Sequence, residues 1–422
     1  MAHSSTVTTR QGAARRLLIG CLLASTRAEA IQAQTADRAQ MPAAIAGAQV
    51  VLPFEYEDTR LYVPVGVGGQ VRWFILDTGA QPTVLDEHVA MAAGVAGRDT
   101  TTTTGAGGGR TRRSTGSEIA LALGRTTMTV RQPAIAPLDS LLSRYTGSRA
   151  PGIIGSQFFV GRAVTIDFDQ HVVIARATPD ASELANSLVL PLEIDGGIPY
   201  LTGTLRLTDG RAVTARLLVD LGAKSTLLLA EPFIERAKLG ALQASGVRSS
   251  LGAGMGGATR YSFVRLRSLE LGSAAALHLD SAVVGLSVAG TLRSTYYDGL
   301  LGAEFLQRYR VTFDYPGKRL ILRLRSPAPP NLDFDMSGMF VVAQGDDLRE
   351  FAVADVAPGS AAASAGMSVG DRIATVDGRE APQMTLSAVR TLLRGPAGRR
   401  VVVEALRGGE RRTATIVLAR RV

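Results

Sequence analysis

Trp73-Phe-Ile-Leu-Asp77-Thr-Gly-Ala-Gln-Pro-Thr-Val-Leu85 returns later in the chain as Leu217-Leu-Val-Asp220-Leu-Gly-Ala-Lys-Ser-Thr-Leu-Leu228. Each stretch is an apolar strand running into Asp-x-Gly-Ala, followed by two variable residues, a threonine and a second apolar run. A self-similar unit at a fixed offset is the first thing to seek in a sequence, because missing it misreads the whole fold.

Two further matches follow in the same order. Gly152-Ile-Ile-Gly155 with Phe158 corresponds to Gly299-Leu-Leu-Gly302 with Phe305. Val164-Thr-Ile-Asp-Phe-Asp-Gln-His-Val-Val-Ile174 corresponds to Val311-Thr-Phe-Asp-Tyr-Pro-Gly-Lys-Arg-Leu-Ile-Leu322. The offsets are 220 − 77 = 143, 299 − 152 = 147 and 314 − 167 = 147, so the chain contains one unit twice. Between the aspartate and the Gly-h-h-Gly motif, each copy carries a glycine-rich stretch: Gly105, Gly107, Gly108 and Gly109 in the first, Gly252, Gly254 and Gly256 in the second. Glycine permits the positive φ angles of tight hairpin tips, so a hairpin is expected at the same place in both copies.

The organisation expected is residues 49–178 for the first half and 188–325 for the second, divided by the polar segment 178–187 and Pro191. Ser326-Pro-Ala-Pro-Pro330 opens an extended linker over 326–334, because consecutive prolines interrupt sheet pairing. A different pattern occupies 335–422. Its expected strands include Gly338–Val342, Phe351–Val356, Val401–Ala405 and Thr413–Leu418. Asp377-Gly378 marks a tight turn, and a helix capped by Thr385 carries Leu386, Val389, Leu392 and Leu393 on one face.

Asp77-Thr78-Gly79-Ala80 with Ile153-Ile154-Gly155, and Asp220-Leu221-Gly222-Ala223 with Leu300-Leu301-Gly302, resemble the signature of retropepsin-like aspartic proteases. The resemblance covers roughly residues 50–325. It implies a mainly β fold of two acid-protease β-barrel halves related by a pseudo-two-fold axis, both supplied by one chain. Asp77 and Asp220 would be the catalytic pair, with Thr78, Gly79, Ala80, Gly222 and Ala223 supporting it and the two glycine-rich hairpins serving as flaps. Two carboxylates held together cannot both ionise readily, so they share a proton. The ionised member can then activate a water for attack on a peptide carbonyl, with no metal and no cofactor.

Leu221 departs from the family, where threonine or serine follows the aspartate and its hydroxyl braces the opposite loop. Thr78 can do this and Leu221 cannot, which leaves Thr78 short of a partner unless backbone or water replaces it. An active endopeptidase and a weak or inactive peptide-binding relative therefore both remain as readings.

Pro358-Gly-Ser, Ala365-Gly366 and Val369-Gly-Asp-Arg-Ile373 resemble PDZ domains of bacterial exported proteases, a small α+β module. Such domains bind a peptide C-terminus as an added strand. By position, Gly338, Met339 and Phe340 belong to the carboxylate-binding loop, and Leu386 and Val389 to the groove wall. The alternative is a module that docks against the protease halves.

Composition narrows the classes further. The formal net charge of +9 rests on scattered arginines, with lysine only at 224, 238 and 318, and no aromatic-interleaved basic stripe points to nucleic acid. Cys21 is the single cysteine, and His3, His88, His171 and His278 lack metal-ligand spacing. Arg10, Arg15 and Arg16, the apolar run Leu17–Ala24 and Ala28-Glu29-Ala30 have the order of a secretory signal over 1–30, ahead of a flexible segment 31–48. Leu18-Ile-Gly-Cys21 resembles a lipoprotein box and Arg15-Arg16 a twin-arginine signal, so the signal type stays open. Export follows as the expected location, periplasmic if the source has two membranes and otherwise secreted or associated with the cell envelope, with no transmembrane span in the mature chain. The expected partners are polypeptide substrates and peptide C-termini at the PDZ-like module.

Overall fold

In the computed structural model the described residues are 49–104, 109–254, 257–272, 277–288, 292–327 and 334–422. The signal expected over 1–30, the segment 31–48, Cys21, and the hairpin glycines Gly105, Gly107, Gly108 and Gly256 lie outside them.

The duplication read from sequence is a duplication of topology. In the first half the sheet runs Gly97–Thr104, Arg110–Gly116, Ala134–Ala136, Val84–Asp86, Gly152–Ile154, Gln70–Leu76, Arg60–Val67, Ile119–Leu123, Thr126–Val130. In the second it runs Val247–Gly254, Gly257–Arg265, Val283–Ser287, Leu227–Leu229, Gly299–Gly302, Ala212–Asp220, Ile198–Arg206, Ser268–Leu271, Leu277–Asp280. Strand for strand the two orders agree. The parallel pairings agree as well: the Gly-h-h-Gly strand lies parallel to the strand that delivers the aspartate in each half.

A six-stranded sheet joins the halves, with Ala163–Asp167 and Tyr309–Asp314 antiparallel at its centre. Thr165 stands opposite Thr312, and their hydroxyls hydrogen-bond at 2.8 Å. These residues are equivalent in the repeat, 312 − 165 = 147, so the pseudo-two-fold axis passes between them. Burial drives the join. Phe159 packs edge-on against Phe313 with ring centroids 5.5 Å apart, in a core that runs continuously from one half into the other. The segment 178–187 is more than a divider. Ala181–Leu184 is a helical turn closed by an Asp180/Glu183 capping box, and buried Glu183 accepts from the Thr165 hydroxyl at 2.6 Å.

The C-terminal module has its own core, including Val341, Phe351, Val389 and Val401. Its sheet runs Met339–Gln344, Glu350–Val356, Arg372–Val376, Arg400–Arg407, Glu410–Val417, which leaves Met339–Gln344 on an edge. Thr385 caps the Leu386–Leu392 helix by accepting from the Ala388 amide at 3.1 Å. Asp377 and Gly378 both adopt positive φ (50° and 75°) between strands ending at Val376 and beginning at Arg379.

Candidate active site

Each aspartate is fixed by the strand beside it. The Asp77 amide donates to the Ile154 carbonyl at 3.0 Å, and Asp220 pairs in register with Gly302. The glycine closing each Gly-h-h-Gly motif is required by contact. A Cβ on Gly155 would lie 2.6 Å from the Ala80 carbonyl oxygen, and one on Gly302 would lie 2.6 Å from the Ala223 carbonyl oxygen. Ala80 and Ala223 also play equivalent parts, accepting from the Ser156 and Ala303 amides at 2.9 Å each.

The two loops then meet. A Cβ on Gly79 would stand 2.9 Å from Asp220 Cγ, and one on Gly222 would overlap the Asp77 carboxylate. Glycine is present because the opposite carboxylate occupies the space a side chain would need. Within each loop the amides face their own aspartate: Gly79 donates to Asp77 Oδ1 at 2.7 Å, and Gly222 and Ala223 to Asp220 Oδ1 at 2.8 and 3.2 Å.

The Leu221 question has a direct answer in the geometry. The Thr78 hydroxyl, fully buried, donates to the Val219 carbonyl at 2.7 Å and accepts from the Leu221 amide at 3.0 Å. Both partners are main chain, so the Leu221 side chain is not needed to satisfy Thr78. Leu221 itself is fully buried in the main core.

Burial is the largest influence on both acids and raises both. The Asp77 charge pushes Asp220 up further, while bonding to Asp220 and the Gly79 amide, together with the Arg60 charge, pulls Asp77 back. The pair thus holds one shared proton over the range where isolated carboxylates are ionised. Around it, Tyr297 is pushed up to about 12, by burial first and then by the Asp220 charge. Tyr261, on the second hairpin, is raised for the same kind of reason, so that hairpin lies within electrostatic reach of the dyad.

The hairpins form in both halves as expected. Thr104 pairs with Arg110 and Gly254 with Gly257, which places Gly252 and Gly254 in strand and leaves Gly109 exposed beside a tip.

A buried charge cluster adjoining the dyad loop was not read from sequence. Asp58 receives hydrogen bonds from Lys224 and from Arg390, the latter at 2.6 Å, with Arg60 at 3.6 Å. Burial would raise the Asp58 carboxyl, but Arg390, Lys224 and Arg60 outweigh it and hold it down to about 2. Burial pushes Lys224 the other way, down to about 7, against the pull of Asp58.

Arg390 belongs to the C-terminal module, so the cluster joins that module to the duplicated halves. Of the expected groove residues, Phe340 and Leu386 face the first half, while Met339 and Val389 lie in the module's own core and Gly338 packs against Ser360. Leu386 and Val389 are buried, and a Cβ on Gly147 of the first half would come within 2.6 Å of Leu386 Cβ. The loop amides of Ser337 and Gly338 already donate to the Asp335 carboxylate, at 3.1 and 2.6 Å.

Comparison with known proteins finds two family matches. Residues 63–158 match an aspartyl protease family model and residues 353–407 a PDZ domain model. The chain therefore carries an aspartyl protease domain and a PDZ domain. No curated protein matches it. Among solved structures, it is similar to the aspartic proteinase from Irpex lacteus at 15% identity, covering 67% of this chain and 99% of that one with a TM-score of 0.42. It is similar to Basic 7S globulin from soybean at 12% identity, covering 65% and 94% with a TM-score of 0.38.

Proposed function

We propose that this protein is an exported aspartic endopeptidase that hydrolyses unfolded or extended polypeptides. The observation that carries the reading is the reciprocal packing of Gly79 against Asp220 and of Gly222 against Asp77, which puts two raised carboxyls in one site. The ionised member of the Asp77/Asp220 pair takes a proton from a water molecule held between them, and the resulting oxygen nucleophile attacks the peptide carbonyl carbon. The protonated member donates to the carbonyl oxygen as negative charge develops there. Collapse of the tetrahedral intermediate breaks the C–N bond, and the proton gained by the dyad passes to the departing amine. One water is consumed and no covalent enzyme intermediate forms.

The arginine-rich leader and the expected cleavage after Ala30 support export, to the periplasm where the source has two membranes. The competing reading is a peptide-binding relative without turnover, which the sequence left open at Leu221 and which the main-chain pairing of Thr78 no longer favours. Digestion of an unfolded protein by the mature chain from acidic to neutral pH tests both. Cleavage that is blocked by a hydroxyl-containing transition-state mimic supports the enzyme. Tight binding of unfolded protein with no product supports the binder.

A further inference from the structure

The edge of the PDZ module is covered by the protease itself. An edge strand offers unpaired backbone groups to an incoming peptide, and here the helix Leu138–Thr146 of the first half packs on the edge strand Met339–Gln344. Tyr145 stacks on Phe340 with centroids 6.3 Å apart, and Gly147 sits on Leu386 of the groove helix. Arg390 donates to the Val341 carbonyl at 2.7 Å and to the Tyr145 carbonyl at 2.8 Å, tying the groove wall to its occupant.

The same docking holds the second hairpin. Ser250, on the strand Val247–Gly254, donates to Asp355 of the module at 2.8 Å. Arg265, at the hairpin's base, donates to the Val422 carbonyl at 3.0 Å. The helix Leu138–Thr146 packs against this hairpin as well as against the edge strand. The strand Gly257–Arg265 carries Tyr261, which feels the Asp220 charge, and the pair of strands is fastened to the module at two separate points.

We propose that the peptide groove of the PDZ module is a latch site, in which the protease helix Leu138–Thr146 and the apolar C-terminus of another polypeptide compete for one surface. The inference rests on the protease reading for its consequence, because displacing the helix releases the strands Val247–Gly254 and Gly257–Arg265, the second of which carries Tyr261 within reach of the Asp220 charge. Docked helix and bound peptide exclude one another, so each weakens the other by the same factor. A partner with an apolar C-terminal residue and a free carboxylate therefore acts as an activator.

The test uses the full chain in a Cys21→Ser background. A Gly147→Cys/Leu386→Cys pair closes the latch on oxidation. The backbone must part by roughly 1 Å to reach disulfide geometry. The probe is a fluorescein-labelled peptide ending in valine, followed by anisotropy, alongside cleavage of a short quenched substrate. The oxidised protein is expected to lose both peptide binding and peptide-stimulated cleavage, and reduction to restore both. Tyr145→Ala needs no crosslink and should bind the peptide about 2- to 10-fold tighter, the range an aromatic contact contributes. Equal binding by oxidised and reduced protein, or no gain in Tyr145→Ala, overturns the latch. Competition for the groove in a chain that cleaves nothing under any condition would sink the protease reading and leave the shared surface standing.

Discussion

The Leu221 amide donates to the Thr78 hydroxyl at 3.0 Å, so the residue lacking a hydroxyl braces the dyad through its main chain. Thr78→Val should remove that bond and the one to the Val219 carbonyl together, leaving two buried main-chain groups unpaired. The expected cost is about 2–4 kcal/mol of stability, with a matching fall in turnover, and Thr78→Ser should recover most of both. Denaturant unfolding and peptide cleavage on the same preparations measure the two effects.

Leu221→Thr should behave differently. Leu221 is fully buried, so the change opens a cavity and costs roughly 1–3 kcal/mol. The Thr78 hydroxyl is already paired, so no gain in turnover is expected. A faster Leu221→Thr enzyme would show that the missing hydroxyl limits the site after all.

Gly222→Ala places a methyl group where the Asp77 carboxylate lies. The protein should fold, and cleavage should fall by about 100-fold or more, as expected when a catalytic group is pushed from its position. Normal activity in this variant would mean that the two loops are not in contact.

Asp58→Asn leaves Lys224, Arg60 and Arg390 facing one another without a counter-charge. Removing one member of a buried ionic cluster costs about 3–5 kcal/mol. The pH dependence has a definite sign. Asp58 is held below its unfolded value, so its contribution is present above pH ~4 and lost as pH falls through about 2. Asp220 is raised, so its contribution is present below pH ~4 and lost as pH rises through its folded value. Asp220→Asn should therefore be more stable than the parent at neutral pH, with the gap closing in acid. Thermal melts across pH decide this.

Much of the site was legible in the sequence because its chemistry is local and repeated. Asp-x-Gly-Ala and Gly-h-h-Gly each lie within a few residues, and a second copy repeated the pattern in the same order at offsets of 143 and 147. The Asp58 cluster was not legible: Lys224 lies 166 residues from Asp58 and Arg390 lies 332 away. No spacing rule joins such positions. The cover over Met339–Gln344 was hidden for a related reason. Tyr145 and Gly147 belong to no motif of the sequence, and only the tertiary fold brings them to Phe340 and Leu386. The rescue of Thr78 by backbone was open in principle, since an amide accompanies every residue whatever its side chain.

The central claim is that Asp77 and Asp220 act as one unit on a water molecule. The most direct measurement is the rate of unfolded-protein hydrolysis by the parent, Asp77→Asn, Asp220→Asn and the double variant, at the parent's optimal pH. Members of one catalytic unit are grossly non-additive, so each single change should abolish nearly all turnover and the double change should cost little more. Substantial hydrolysis by either single variant, or losses that simply multiply in the double variant, would contradict the account.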